Sequence, residues 1–282
     1  AQGQREPSVL RKAPWGIRWC GAQDHRDFHA RCRQGAVLTA TLFVGCAGWS
    51  LPREYWAAFA DEGTHLERYA SRFNAVEINS SFYRPHLAKT YARWAHSVPS
   101  GFRFSVKVPK RITHELRLHG CQAALEAFLG QCLQLGEKLG CLLVQLPPSL
   151  QYEPSVADAF FTALRQRFTG DVVLEPRHAS WLAAEEMMQA LQIGRVAADP
   201  PVIPAGEVPA GWQGVHYWRL HGTPRVYHSG YGASRVQAYA RVLSASVAAG
   251  IPTWCIFDNT ASGLATPDAL SLLDVHSQHF QP

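Results

Sequence analysis

The chain has 282 residues, of which 47% are hydrophobic and 17% are charged. This balance is typical of a folded globular protein and excludes a chain that is disordered throughout. Basic residues outnumber acidic residues by 27 to 22, and the formal net charge of +5 makes nucleic acid one partner to consider. The sequence has no apolar run as long as the roughly 18 residues of a membrane span. Its polar, basic beginning also lacks the apolar region of a secretory signal.

The cysteine pattern indicates a reducing compartment. The chain has seven cysteines and no C-x-x-C pair, and several lie within apolar segments where a free thiol packs like a small hydrophobic side chain. An odd number without that spacing favours neither a disulfide framework nor a zinc knuckle. We therefore expect a cytoplasmic protein with no membrane partner.

Residues 1–40 differ in composition from the rest of the chain. They carry seven basic and three acidic residues, a net charge of 7 − 3 = +4, and they show no sustained helical or alternating pattern. We predict a basic N-terminal extension over residues 1–40, disordered or artefactual, followed by one folded domain over residues 41–282. The alternative for the extension is a basic arm that binds phosphates.

Eight short runs of apolar and β-branched residues predict strands in the remainder of the chain. They lie at 42–46, 75–78, 102–108, 141–146, 171–174, 195–198, 215–220 and 253–257. Amphipathic helical patterns separate them. Thr64 and Glu67 form a capping box, Pro154 is expected at the first turn of a helix, and Ser234 is expected to cap a long helix that ends before Gly250.

The alternation of strands and helices predicts the fold. Eight strand–helix units indicate a parallel sheet covered by helices, and eight strands are the number that closes a barrel. We therefore predict an α/β fold, a single (β/α)8 TIM-like barrel. Residues 200–214 contain four prolines and three glycines, and proline removes backbone donors that a helix needs. The helix after strand six should be missing or replaced by this Pro/Gly-rich loop.

Nearly every predicted strand ends in a polar or ionisable residue. In such a barrel the functional residues lie at the carboxyl ends of the strands, so we expect a site there. The candidate catalytic residues, carboxylates and imidazoles suited to general acid–base chemistry, are Glu77, Glu175, His178 and His221. The candidate ligand-binding residues, which offer cationic, amide or aromatic groups, are Trp49, Asn79, Tyr83, Lys107, Gln145, Arg177, Arg219 and Asn259.

Seven short motifs coincide with these strand ends and occur in a fixed order. They are GCAGW at 45–49, VEINSSFY at 76–83, FRFSVK at 102–107, QLPP at 145–148, EPRHASW at 175–181, RLHG at 219–222 and DNT at 258–260. Together they resemble the YecE-like family, which is domain of unknown function number seventy-two. The resemblance covers residues 43 to 276 and implies a TIM-barrel-like fold, in agreement with the strand count. It implies no particular reaction.

A divalent metal is one hypothesis for the chemistry of this rim. Mixed oxygen and nitrogen ligands suit such ions, and Glu175, His178 and Asp199 are the candidate ligands. The competing explanation is that these acids pair with neighbouring bases, Glu175 with Arg177 or Lys107 and Asp199 with Arg219.

An anion site is the other hypothesis. Arginine forks and Lys107 would bind phosphate or carboxylate, while Trp49, Phe82 and Tyr83 stack on a sugar or base. We predict an enzyme of the hydrolase or isomerase type that acts on a phosphorylated or sugar-like anionic ligand, with or without a divalent metal.

No nucleotide-cofactor motif supports a cofactor enzyme, because the sequence has no Gly-rich phosphate loop. The alternative function is a non-catalytic nucleic-acid-binding barrel or an endonuclease-IV-like barrel. Residues 41–282 carry 20 basic against 19 acidic residues, a net charge of 20 − 19 = +1, so the bulk charge of the domain gives nucleic acid little support.

Overall fold

The computed structural model describes residues 40–279, with the side chain of residue 279 left out. The predicted extension therefore lies outside the described residues, apart from Ala40. The described chain has an α/β fold in which ten strands alternate with seven α-helices and several short 3-10 or π-helical turns.

The strands match the predicted runs closely. Three of them begin and end at the predicted residues, and two more share one bound with the prediction. They are β1 (Leu42–Cys46), β2 (Ala75–Ile78), β3 (Arg103–Lys107), β4 (Leu139–Gln145), β5 (Asp171–Glu175), β6 (Ile193–Arg195), β7 (Ala197–Asp199), β8 (Ala210–Gly211), β9 (His216–Leu220) and β10 (Thr253–Phe257). Hydrogen bonds group them into a four-stranded sheet, β1-β10-β9-β7, and a six-stranded sheet, β2-β3-β4-β5-β6-β8. All pairs are parallel except β6 with β8.

The two sheets approach each other at two places, although hydrogen bonding within residues 40–279 forms no single closed sheet. An isolated parallel bridge joins Ala47, just after β1, to Glu77 in β2. The predicted sixth strand is in fact two short strands interrupted at Val196, whose amide donates to the carbonyl of Leu174 at 2.9 Å. The chain therefore leaves one sheet at β6 and enters the other at β7.

The helices confirm most of the predicted starts. They are α1 (His65–Ala70), α2 (Ala88–His96), α3 (Gln122–Cys132), α4 (Pro154–Arg165), α5 (Glu185–Ala190), α6 (Ala233–Ala248) and α7 (Ala265–His279). Thr64 makes the predicted capping box with Glu67. The expected cap at Ser234 is wrong, because α6 already begins at Ala233 with Gly232 as its N-cap.

The Pro/Gly-rich loop after β7 contains no helix, as predicted, and its only regular element among residues 200–214 is the two-residue strand β8. None of the helices in the described part of the chain combines the length and the apolar composition needed to cross a bilayer.

The buried apolar side chains form two separate cores. The larger core lies where the helices pack on the strands. The second core consists of strand residues and a few neighbours, and these are Ala75, Cys141, Leu143, Val173, Val196, Val215, Tyr217, Trp254 and Ile256. Because successive side chains of a strand point to opposite faces, the second core marks the strand faces turned away from the helices.

Gly45 allows β1 to lie close to β2. A Cβ atom at this position would stand 2.0 Å from the carbonyl oxygen of Ala75 and 2.8 Å from the hydroxyl of Tyr69. Tyr69 in α1 accepts a hydrogen bond from the amide of Cys46 at 2.7 Å and donates one to the Ala75 carbonyl at 3.0 Å. One buried side chain thereby ties the end of β1 to the start of β2, where the two sheets meet.

We predict that Gly45→Ala lowers the free energy of unfolding by about 3 kcal/mol, because a methyl group forced against backbone overpacks the junction. Urea unfolding of the purified variant measures the change. Gly130→Ala is the matched control: Gly130 lies exposed in α3 with nothing near its added Cβ, so this variant should gain about 0.5–1 kcal/mol. Equal stability of the two variants would contradict the close approach of β1 and β2.

Candidate functional site

The polar side chains at the carboxyl ends of the strands continue the face that carries the second core. Each follows, by two positions, a strand residue whose side chain lies on the face of the second core, so it projects from that face as well. The pairs are Ala75 and Glu77, Ser105 and Lys107, Leu143 and Gln145, Val173 and Glu175, Tyr217 and Arg219, and Ile256 and Asp258. The strand period thus places an ionisable layer directly above an apolar one.

Arg219, at the end of β9, is the centre of this layer and has no exposed surface. Its guanidinium holds Glu77 with two bonds, from Nε to Oε2 at 2.9 Å and from Nη2 to Oε1 at 2.8 Å. Nη1 donates to Glu175 Oε2 at 2.6 Å, and Nη2 donates to Asp258 Oδ2 at 3.0 Å. One planar cation therefore joins the ends of four strands, β2, β5, β9 and β10, through charge-assisted hydrogen bonds.

Further hydrogen-bond donors contact two of these carboxylates, Glu175 and Glu77. Arg177 donates from Nε and Nη2 to Glu175 Oε1, at 3.0 and 2.8 Å. The hydroxyl of Tyr217 lies 3.1 Å from Glu77 Oε2 and 2.9 Å from the hydroxyl oxygen of Ser105. Both oxygens of Glu77 and both oxygens of Glu175 are consequently occupied by protein donors.

His221 makes a hydrogen bond through one ring nitrogen and only a longer ionic contact through the other. Its Nδ1 donates to Asp258 Oδ2 at 2.9 Å. Its Nε2 is buried, lies 3.4 Å from Glu175 Oε1, and makes no hydrogen bond within the described residues. A carboxylate that holds one ring nitrogen fixes the orientation of the imidazole, so Nε2 is the ring position left for a ligand.

The arginines determine the charge state of the cluster. Burial opposes ionisation of Glu175, but Arg219, Arg177 and His221 outweigh it and hold the pKa of Glu175 well below its usual range. Burial likewise opposes the charge of Asp258, and Arg219 and His221 lower its pKa. Burial lowers the pKa of His221, but its contacts with Asp258 and Glu175 raise the pKa by more than burial lowers it, so the net shift is upward.

Lys107, at the end of β3, is the one buried lysine among residues 40–279. Its Nζ lies 4.2 Å from the centre of the Phe82 ring, and no hydrogen bond or ion pair to it is present in the described structure. Burial, followed by the positive charge of Arg219, lowers the pKa of Lys107 to about 8 although three carboxylates act in the opposite direction. The hydroxyl of Ser81 donates to the carbonyl of Lys107 at 2.7 Å and fixes the backbone there.

The remaining predicted ligand-binding residues lie near this layer but outside the ionic network. Trp49 is half-buried and packs edge-on against Trp94, Gln145 donates to the Leu146 carbonyl, and Asn259 donates to Ser229 and Asp268. Asn79 and Asn259 each keep a buried side-chain oxygen without a hydrogen bond. Tyr83 is 69% exposed and is not part of the buried cluster.

Two predicted site residues are engaged elsewhere. His178 binds Ser180 through Nδ1 at 2.8 Å. Asp199 accepts from Thr223 at 2.7 Å and from Tyr239 at 2.5 Å, and it pairs with Arg235 at 3.4 Å. The expected pairing of Asp199 with Arg219 is therefore wrong, whereas the expected pairing of Glu175 with Arg177 is present.

The predicted metal ligands are not gathered at one point. Among residues 40–279 no group of three or more His, Cys, Asp or Glu side chains is arranged to hold a metal ion. The physical reason lies in Arg219, whose guanidinium occupies the space between the carboxylates that an ion would need. Glu175, His178 and Asp199 do not form the proposed ligand set, because Asp199 belongs to the separate group of Thr223 and Tyr239.

Three members of the cluster were missing from the predicted site. Asp258 opens the DNT motif that follows a predicted strand, but nothing in the sequence indicates that it contacts Arg219 and His221. Tyr217 and Ser105 lie inside predicted strands, which were identified by their apolar residues. The period-two alternation was the available signal, because Tyr217 precedes Arg219 by two residues and Ile256 precedes Asp258 by two.

The fold and the polar layer define an α/β protein with parallel sheets and an ionic cluster at the carboxyl ends of its strands. The sequence profile of a family described as "Protein of unknown function DUF72" matches residues 43–282. The chain belongs to this family, as the resemblance of its motifs indicated.

Relatives and solved structures agree with this assignment. UPF0759 protein YecE of Escherichia coli strain K12 is 31% identical over 156 residues, which is 54% of each chain. UPF0759 protein YunF of Bacillus subtilis strain 168 is 24% identical over 60% of this chain and 64% of its own length. The matches therefore span about half to two thirds of these relatives.

Crystal structures of two DUF72 family proteins share the fold. The protein from Enterococcus faecalis V583 superposes with a TM-score of 0.70 at 22% identity, covering 86% of this chain and 97% of that chain. The protein from Thermotoga maritima MSB8 gives a TM-score of 0.62 at 22% identity, covering 84% and 99%.

We predict that Arg219→Met lowers the free energy of unfolding by about 3–5 kcal/mol, because it leaves buried carboxylates without their cation. Without Arg219 the carboxylate pKa values rise above their unfolded values, so the remaining stability of the variant should increase as the pH falls. In the wild type the low pKa values of Glu175 and Asp258 have the opposite effect, and stability is lost on acidification. Urea unfolding at several pH values measures both trends.

The matched control for this prediction is Arg111→Met, which removes an exposed arginine that pairs with the exposed Glu115. This variant should change the free energy of unfolding by less than about 0.5 kcal/mol. If Arg219→Met is as mild as the control, or keeps the wild-type pH trend, Arg219 does not neutralise the cluster.

Proposed function

We propose that this protein is an enzyme that moves protons on a small phosphorylated or sugar-like anionic ligand, in a reaction of the isomerase or hydrolase type. The ligand binds at the carboxyl ends of the strands. The observation that carries the proposal is His221, whose Nδ1 is held by Asp258 while its buried Nε2 has no hydrogen-bond partner within the described residues. A buried, oriented imidazole with one nitrogen left over is the arrangement that general acid–base catalysis uses.

We further propose that the two hydrogen-bonded sheets are the halves of one TIM-like (β/α)8 barrel. The bridge between Ala47 and Glu77 supports one junction, and the single-residue break at Val196 between β6 and β7 supports the other. Counting β6 and β7 as one interrupted strand and setting β8 aside gives eight strands in a cyclic order. In that arrangement the second core fills the barrel, and the ionic layer lies at the end where barrel enzymes bind their substrates.

An anionic ligand is favoured because the cations near His221 are only partly neutralised. Arg219 is saturated by carboxylates, but Lys107 has no carboxylate partner and Arg177 keeps 18% of its side chain exposed. Lys107 would bind phosphate or carboxylate as a point charge, and the N–H groups of Arg177 that Glu175 does not use would add charge-assisted hydrogen bonds. The unpaired amide oxygens of Asn79 and Asn259 would accept hydrogen bonds from the hydroxyl groups of a sugar.

The carboxylates have a supporting role in this proposal. Glu77 and Glu175 hold Arg219 and Arg177, and Glu175 also faces His221 Nε2 at 3.4 Å. A ligand hydroxyl that approaches the pair from one side would contact both Glu175 and His221. The proposal does not call on a metal, because arginine donors occupy both oxygens of Glu77 and of Glu175. His178 stays a predicted contributor without a contact that supports its role.

Proton transfer can be detected before the true substrate is identified. Wild-type protein is incubated in deuterated water with triose, pentose and hexose phosphates, and NMR records deuterium entering at carbon, conversion of the sugar and release of inorganic phosphate. We expect one of these events with at least one sugar phosphate. His221→Asn, which keeps a donor for Asp258 but cannot carry a proton, should lower the rate on the order of 10²–10⁴-fold.

Arg111→Met serves as the control, because this exposed arginine lies outside the cluster, and its rate should equal that of the wild type. Titration with inorganic phosphate and with a single-stranded oligonucleotide completes the experiment. Absence of any reaction together with absence of phosphate binding would overturn the proposal. Salt-sensitive binding of the oligonucleotide in that case would favour the nucleic-acid alternative.

A further inference from the structure

Lys107 has surroundings that anion binding alone does not explain. Its side chain is 6% exposed, yet it has no carboxylate partner although Glu77, Glu175 and Asp258 are close enough to influence its charge. The oxygens of Glu77 and Glu175 are already occupied by arginine and tyrosine donors. The arginines therefore neutralise the acids and leave the amine of Lys107 against the face of Phe82.

This arrangement favours the neutral form of the amine. Burial and the charge of Arg219 disfavour the ammonium form, and the three carboxylates restore part of its stability, with the result that the pKa of Lys107 is about 8. A substantial fraction of Lys107 is then neutral near physiological pH, whereas an ordinary lysine is almost fully protonated. Neutral amines in desolvated pockets are the groups that add to carbonyl carbons in enzymes.

We propose that Lys107 Nζ forms an imine with the carbonyl carbon of a small aldose or ketose phosphate bound at this site. The inference rests on the function proposed above and names the substrate class and its covalent step. The amine nitrogen bonds to the carbonyl carbon and gives a first proton to the carbonyl oxygen. The carbon–oxygen bond then breaks as the nitrogen loses its second proton to that oxygen, which leaves as water. An amine and a carbonyl thus give an imine and water without oxidation or reduction.

The neighbouring imidazoles provide proton carriers for this step. His114 packs edge-on against the same Phe82 ring, with centroids 4.9 Å apart, and its Nδ1 is held by the hydroxyl of Thr113 at 2.8 Å. Burial and then the charge of Lys107 lower the pKa of His114, so the imidazole is neutral and able to accept a proton at neutral pH. His221 Nε2 is the second carrier, on the side of Asp258.

Reduction with borohydride tests the imine directly. Wild-type protein is mixed with dihydroxyacetone phosphate or glyceraldehyde 3-phosphate and then reduced, and mass spectrometry of the intact chain and of its peptides locates the adduct. We expect a mass gain equal to the probe less one oxygen atom, on Lys107. The rate of trapping should rise with pH and reach half its maximum near pH 8, where Lys107 titrates.

Two variants separate the imine from anion binding. Lys107→Arg keeps a cation but cannot form an imine, so it should bind inorganic phosphate like the wild type and lose trapping completely. Lys110→Met removes an exposed lysine three residues further along and should leave trapping unchanged.

The outcomes distinguish the two proposals. Phosphate binding without an adduct on Lys107 overturns the imine and leaves the proposed function standing. If the wild type shows neither phosphate binding nor trapping, both the imine and the proposed function are overturned. Adducts spread over exposed lysines, unaffected by Lys107→Arg, would also contradict a specific nucleophile.

Discussion

The guanidinium of Arg219 is the group on which the carboxyl end of this fold depends. Three buried carboxylates from three strands would repel one another and would resist ionisation in a desolvated layer. A single planar cation with donors in fixed directions satisfies all of them, at 2.6 to 3.0 Å. Lysine could not do this, because an ammonium is a compact point charge without a bidentate fork.

The same interaction creates the reactive features of the site. Because Arg219 and Arg177 occupy the oxygens of Glu77 and Glu175, Lys107 is left without an ion-pair partner and His221 Nε2 without a hydrogen bond. Counting Glu77, Glu175 and Asp258 against Arg219 and Arg177 leaves one negative charge, which a protonated His221 balances. A charged Lys107 then makes the layer positive, and a bound anion would remove that excess. Structural neutralisation and ligand recognition thus depend on the same set of charges.

Much of the strand framework could be predicted, because buried parallel strands appear in the sequence as short apolar runs. β1, β2 and β10 have the predicted bounds. Local rules also identified the cap at Thr64, but they misplaced the start of α6, where Gly232 adopts the N-cap position with no side-chain hydrogen bond. The division of the sixth strand at Val196 depends on a change of pairing partner, which no local pattern encodes.

The candidate site was predictable in its residue types and not in its connections. The strand ends supplied Glu77, Glu175, Arg219 and His221, and the structure brings them together. Which acid meets which base depends on contacts between residues far apart in the chain, from 39 positions for Arg219 and Asp258 to 142 for Arg219 and Glu77. A carboxylate at a strand end looks the same in the sequence whether it binds a metal or an arginine. The sequence therefore could not show that the predicted metal ligands do not come together.

The protonation of Lys107 tests most directly whether the arginines leave this amine unpaired for a ligand. Nitrogen-15 NMR of labelled lysine side chains follows its titration, with the Lys107 signal assigned by its disappearance in Lys107→Arg. The account predicts a midpoint near pH 8 that moves upward when inorganic phosphate is added, because a bound anion stabilises the ammonium form. A midpoint near the ordinary value of 10.5, unaffected by phosphate, would contradict it.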